Sequence, residues 1–140
     1  GNRTRRIKDK MNSTNAYWFH PNLIPFGDQE TRLPFDLHFI KASVAPRAWF
    51  NANGLTDKLN VEGSMVSWRA AREVYDWLGV KERCAQWYRE GGHDQGPQDW
   101  KALADFADFI FFETPLPDPK AFYQEPWPDI PLHYSWKAPR

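Results

Sequence analysis

Two short loops in this sequence carry side chains able to exchange a proton. The stretch "REGGHDQGPQDW", residues 89–100, sets His93 behind two glycines and ahead of Asp94. Earlier in the chain, Asn53-Gly54-Leu55-Thr56-Asp57 is a turn-rich stretch ending on a carboxylate. A carboxylate that accepts a hydrogen bond from one imidazole nitrogen fixes the tautomer and leaves the other nitrogen free as a base. Gly91 and Gly92 let the backbone turn sharply and keep bulk away from the ring. Asp57 and His93 are therefore a candidate catalytic acid–base pair, in acid-then-histidine order. Spacing alone also admits a plainer reading, in which Asp57 is a turn residue and His93 an incidental imidazole. The elements around the two loops decide between them.

Residues 33–42 read as a short helix with Pro34 in its first turn. After Ala45-Pro46-Arg47, residues 48–52 read as a compact strand ending at the 53–57 turn. A long helix follows over 61–78, with Val61, Met65, Trp68, Tyr75 and Leu78 on one stripe and Gly79 as its stop. Residues 84–89 read as a second strand. A last helix opens near Pro97, its buried stripe formed by Trp100, Leu103, Ala107 and Ile110 and widened by Phe106 and Phe109. Helix, strand, helix, strand, helix is the order of a parallel βαβ unit, so the fold class is α/β. Two strands make no stable parallel sheet by themselves. No strand is legible in residues 1–32, so the expectation is one end of a larger sheet. In such a sheet ligands gather beyond the carboxyl ends of the strands. Both loops emerge there, about 4.8 Å apart if the strands are neighbours.

Composition narrows the function classes. Of 140 residues, 41% are apolar and 26% charged, a globular profile. Eighteen basic residues balance eighteen acidic ones, so no overall field favours nucleic acid or an anionic membrane. The basic start (Arg3, Arg5, Arg6, Lys8, Lys10) reads as a solvated helix face. Cys84, the single cysteine, permits neither an intrachain disulfide nor a cysteine-based zinc site, and reads as a small buried side chain. His20, His38 and His133 show no metal-ligand spacing. Residues 113–140 hold seven of the twelve prolines, interleaved with Phe122, Tyr123, Trp127, Tyr134 and Trp136. That pattern favours extended backbone clamped by its aromatics onto the domain. The expected organisation is a catalytic-domain portion over 1–112 and a proline- and aromatic-rich tail over 113–140.

Several strings, in order, resemble the glucuronoyl esterases of carbohydrate esterase family 15. Trp18-Phe19 looks like that family's aromatic pair. Leu33-Pro34-Phe35-Asp36 followed by His38 resembles "LPFDQH", and Ala45-Pro46-Arg47 resembles "APR". Gly91-Gly92-His93-Asp94, followed by Asp99-Trp100 and Asp105-Phe106-Ala107-Asp108, resembles the family's C-terminal end. The resemblance covers about residues 1–112 and implies the C-terminal part of an α/β-hydrolase fold. It implies a Ser-His-Asp/Glu mechanism on esters of glucuronic acid between xylan and lignin, with His93 as base, Asp57 at the acid position, and no metal or organic cofactor. It also implies a secreted or periplasmic protein and a polysaccharide ester as substrate, while the balanced charge leads to the expectation of no nucleic-acid or membrane partner.

The departures from the family pattern are specific. Neither a G-x-S-x-G elbow nor the family's "GCSRxGK" occurs. Ser64 follows the acid loop and no strand feeds it, so it is rejected as nucleophile. The triad order in this fold is nucleophile, acid, histidine, which assigns the serine to sequence N-terminal to Gly1 and makes this chain a C-terminal portion. Residues 1–140 are accordingly not expected to fold stably alone. The family's acid loop reads like "EDLWADP", whereas here Leu59 in Thr56-Asp57-Lys58-Leu59-Asn60-Val61 replaces the sugar-contacting tryptophan. An esterase for acetylated or other sugars, and a non-catalytic carbohydrate-binding piece, are the alternatives. Some family members carry the acid on an earlier strand. Glu62 is the local substitute for Asp57, and Asp94 has a loop-shaping role.

Overall fold

The computed structural model describes Tyr17 and residues 19–132, 134–135 and 137–139. Contacts divide the chain into two compact units, Gly1–Asp36 and Leu37–Arg140. The described part of the first unit holds two 3₁₀ turns, Pro21–Phe26 and Glu30–Arg32. The imidazole of His20 opens the first of them, its Nδ1 accepting the Asn22 amide at 3.2 Å. No strand occurs among its described residues. The basic residues of the extreme N-terminus, Trp18, His133 and Trp136 lie outside the described residues.

The second unit runs α1 (Leu37–Ala42), β1 (Trp49–Gly54), α2 (Val61–Trp77), β2 (Cys84–Arg89) and α3 (Pro97–Phe112). β1 and β2 pair in parallel, from Trp49 opposite Cys84 to Gly54 opposite Arg89. Successive strand residues point to opposite faces. Trp49, Cys84 and Tyr88 pack with Val61, Met65, Trp68 and Tyr75 of α2. Phe50, Ala85 and Trp87 pack with Ala102 and Phe106 of α3. The sheet is thus covered by one helix on each face, the layering of an α/β protein.

The elements end where local chemistry stops them. Asn60, left-handed at φ 41°, caps α2 through its side-chain oxygen, which accepts the Gly63 amide at 3.3 Å. Gly79 adopts φ +71° just past the other end, a conformation that favours glycine. Inside the unit, the Trp68 indole donates to the Cys84 carbonyl at 3.0 Å. Lys41 of α1 donates to the Ser64 carbonyl and the Ser67 hydroxyl of α2 at 3.0 and 2.7 Å.

The tail lies along β2. Gln86 forms a parallel bridge with Tyr123, and the Tyr88 amide donates to Gln124 Oε1 at 2.8 Å. Phe122, in the 3₁₀ turn Pro119–Phe122, is buried beside Phe106, and Trp127 meets Tyr88 edge-on at 5.5 Å. Arg69 of α2 pairs with Glu125 at 2.6 Å. One edge of the pair is therefore occupied by the tail, while β1 has no second strand partner among the described residues.

Three expectations need correction. The first helix starts at Leu37, not residue 33; Pro34 biases the residue before it toward extended backbone, and Leu33 sits at φ −62°, ψ 136°. Leu78 is not on the buried stripe of α2. It lies past the last helical residue and is 43% exposed. On α3, Asp99, Ala102 and Phe106 are buried and Phe109 and Ile110 pack beside them, so Phe106, Phe109 and Ile110 lie where expected, whereas Trp100 and Leu103 are exposed and Ala107 is only half-buried. Trp100 is 58% exposed. The carboxylate of Asp99 is tied to buried Arg89, which draws that side of α3 toward the sheet.

Candidate active site

Parallel pairing brings the two loops that follow β1 and β2 to one rim. Backbone bonds then stitch them together: the Leu55 amide donates to the Arg89 carbonyl at 2.8 Å and the Thr56 amide to the Gly91 carbonyl at 3.0 Å. The approach is close enough to require glycine. A Cβ on Gly54 would lie 2.3 Å from the Gly92 carbonyl oxygen and 2.4 Å from that of Gly91. Gly91 itself sits at φ +105°, a conformation side chains rarely tolerate.

Across this seam His93 Nδ1 stands 2.8 Å from Asp57 Oδ2. The other carboxylate oxygen, Oδ1, accepts the Leu59 amide at 2.8 Å, so the acid is oriented by its own loop. Asp57 is buried, with its side chain 9% exposed, whereas His93 is 63% exposed. Burial pushes the Asp57 carboxyl upward. The hydrogen bonds from His93 and the Leu59 amide, with the nearby charges of His93 and Lys58, outweigh that and hold it below its ordinary value. An ionised aspartate on Nδ1 makes that nitrogen the protonated one and leaves Nε2, on an open ring, free to accept a proton.

The sequence reading missed what holds the histidine loop. Arg89, the last residue of β2, is buried and reaches back under the loop. Its Nε donates to Asp99 Oδ2 at 2.7 Å, and Nη1 to the Glu90 carbonyl at 2.9 Å. Nη2 donates to the Gly92 carbonyl at 3.4 Å, to Asp94 Oδ1 at 3.0 Å and to the Asp94 carbonyl. The hydrogen bond to Asp99, reinforced by Asp94 and opposed by burial, raises the guanidinium above its ordinary range. Asp99, third residue of α3, also accepts the Gly96 amide at 2.7 Å. In sequence there is only an arginine ending a strand-like run with aspartates five and ten residues on, which does not single it out.

The remaining candidates fall elsewhere. Ser64 lies in the first turn of α2, its hydroxyl accepting from Asn51 Nδ2 at 3.0 Å. Glu62 shares that turn. Asp94 pairs with Arg89 at 3.0 Å, and its carboxylate is not the one on His93. Cys84 is fully buried, and burial pushes its thiol up to about 12. His38 lies in α1 with its ring 4.6 Å from that of Phe39. Among the described residues no cluster of three His, Cys, Asp or Glu is arranged to hold a metal. A cavity of about 360 Å³ between α2 and the tail, lined by Arg69, Arg72, Glu73, Tyr134 and Lys137 among others, includes no residue of either loop.

A model of the fungal glucuronyl esterase family matches residues 1–79, more than half of the chain. The chain belongs to the glucuronyl esterase family. The carbohydrate esterase MZ0003, from an unknown prokaryotic organism, is 29% identical across 71% of this chain and 27% of its own length. A carbohydrate esterase family 15 glucuronoyl esterase from Caldicellulosiruptor kristjansonii superposes with a TM-score of 0.85 at 29% identity, over 97% of this chain and 35% of that structure. The glucuronoyl esterase catalytic domain from Hypocrea jecorina superposes with a TM-score of 0.63 at 22% identity, over 87% of this chain and 34% of that structure, a likeness of fold. This glucuronyl esterase family chain therefore spans roughly a quarter to a third of the relatives it matches. Its parallel strands and flanking helices are part of an α/β-hydrolase domain.

Proposed function

We propose that this chain carries the acid–base half of a serine-type carbohydrate esterase, with His93 as general base and Asp57 as the triad acid. The observation that supports this reading is the 2.8 Å hydrogen bond between a buried carboxylate and an exposed imidazole at the carboxyl rim of parallel strands. His93 Nε2 takes the proton from a serine hydroxyl as its oxygen attacks the ester carbonyl, then gives that proton to the departing alkoxide. The same nitrogen deprotonates the water that cleaves the acyl-enzyme. Asp57 keeps the proton of neutral His93 on Nδ1 and stabilises the imidazolium in between. The serine and oxyanion hole come from a portion N-terminal to Gly1, in the chain order of this fold. On the same reading, residues 1–112 are catalytic-domain sequence and 113–140 a tail packed on it.

The substrate is a polysaccharide ester, and family membership favours glucuronoyl esters joining xylan to lignin outside the cell. Among the described residues no helix is long and apolar enough to cross a membrane. A second reading, an esterase for acetylated sugars, is favoured by half-buried Leu59 in the acid loop, where the resemblance leads one to expect a sugar-contacting tryptophan. The test is His93→Ala in the intact enzyme, assayed on a methyl glucuronate ester and on acetylated xylose. Turnover should fall by about 10⁴-fold with sugar affinity retained. Unchanged turnover removes the catalytic role, and the preferred ester chooses between the two substrates.

A further inference from the structure

We infer that Arg89 is the positioning residue for His93: one buried guanidinium holds the backbone on both sides of the imidazole and so sets the hydrogen bond to Asp57. The inference rests on the triad reading above, but its geometry stands apart from it. The loop between β2 and α3 has no regular backbone ladder, and glycines at 91, 92 and 96 leave it conformationally permissive. Its carbonyls turn inward instead. Those of Glu90, Gly92 and Asp94 all accept from Arg89, so the residues immediately before and after His93 share one donor, Nη2. Gly91 is moulded to the same group, since a Cβ there would lie 2.8 Å from Nη1.

The guanidinium is itself fixed. Asp99, 4% exposed, takes Nε at 2.7 Å and anchors the start of α3 by accepting the Gly96 amide with the same oxygen. Arg89 lies in β2, directly opposite Gly54, the residue whose missing side chain lets the acid loop in. Strand, histidine loop and helix thus converge on one charge. A planar fork of five donors suits this task, whereas an ammonium is a point donor that cannot hold several fixed carbonyls and a carboxylate at once. Asp94 contributes through Oδ1 at 3.0 Å, although its own side chain is 75% exposed.

The inference separates Arg89 from a residue that merely supports the fold. Misplacement of a catalytic group by about 1 Å costs on the order of 10²-fold in rate. In the intact esterase, Arg89→Ala should lower kcat about 10²-fold while KM for the methyl glucuronate ester stays near wild type. The double variant with His93→Ala should be no slower than His93→Ala alone, because Arg89 acts through that ring. The downfield proton resonance of His93 Nδ1–H, hydrogen-bonded to Asp57, should broaden or vanish. A double variant markedly slower than His93→Ala, or wild-type kcat in Arg89→Ala, overturns the inference.

Arg89→Lys decides the matter where the alanine variant gives no soluble protein. It retains charge against Asp99 but lacks the fork, so the same loss of kcat and of the resonance is expected, and wild-type values for both overturn the inference. If His93→Ala leaves turnover intact, the triad reading fails. The Nδ1–H resonance in Arg89→Lys then still reports whether the guanidinium holds the loop.

Discussion

Asp57 uses its two oxygens for different partners, and each partner limits the other's freedom. The Leu59 amide fixes Oδ1 while His93 Nδ1 engages Oδ2. In the triad reading the charge matters as much as the shape. Asp57→Asn preserves volume, but an amide nitrogen facing His93 favours the tautomer with the proton on Nε2, which cannot accept one from serine. By the general behaviour of such triads the expected loss in kcat is about 10⁴-fold with KM little changed. Steady-state kinetics on a glucuronate ester measures it, and a loss below tenfold would transfer the acid role to another carboxylate. Both residues were legible in sequence, because glycine-rich turns after strand-like runs mark the rim of a parallel sheet. Arg89 was not. Its importance lies in backbone carbonyls that carry no sequence signature, and only the fold brings them within its reach.

At the scale of elements, periodicity served where one face alone was apolar. α2 shows Val61, Met65, Trp68 and Tyr75 buried, as their spacing indicates, and Gly79 past its end. In α3 the apolar arc is wide, bounded only by the Gln98, Lys101, Asp105 and Asp108 face, so the hydrophobic pattern leaves the rotation loosely determined, and the buried Arg89–Asp99 pair selects it. Docking of α1 on α2 escaped the sequence reading for a related reason, since it involves the half-buried amine of Lys41. Burial lowers Lys41 to about 8, with Cys84 acting against it, while Ser64 and Ser67 accept its hydrogen bonds. The unfolded chain therefore binds more protons than the folded one between about 8 and 10.5, and stability from this group rises with pH across that interval. The Cys84 thiol, raised from 9.0 to about 12, works the other way as the unfolded thiol ionises, but it is common to wild type and Lys41→Met, so the difference between them isolates the lysine. Denaturant titrations of the intact protein should show wild type gaining about 1 kcal/mol on Lys41→Met from pH 8 to pH 9. No relative gain would show that the amine is not depressed.

Across the whole molecule, what the packing leaves open matters more than what it closes. Two clusters bury the sheet faces, one under α2 and one under α3, and the tail seals the outer side of β2. β1 has no further strand partner among the described residues. Large apolar side chains also face outward: Leu37 and Phe39 on α1, and Trp100, Phe111 and Phe112 on α3, the last two 75% exposed. An isolated parallel pair is marginal because its hydrogen-bond ladder is short and loop closure over a whole helix must be offset by burial. Burial is worth about 25 cal/mol per Å² of apolar surface, so every side chain left in water withholds part of that offset. Residues 1–140 purified alone should therefore melt broadly, without a cooperative calorimetric peak, and bind a hydrophobic dye before heating. Joining them to the rest of an esterase domain should restore a single transition. A sharp unfolding endotherm for the isolated residues, with an enthalpy near the 0.7 kcal/mol per residue typical of globular proteins, would show that these two strands and their helices suffice.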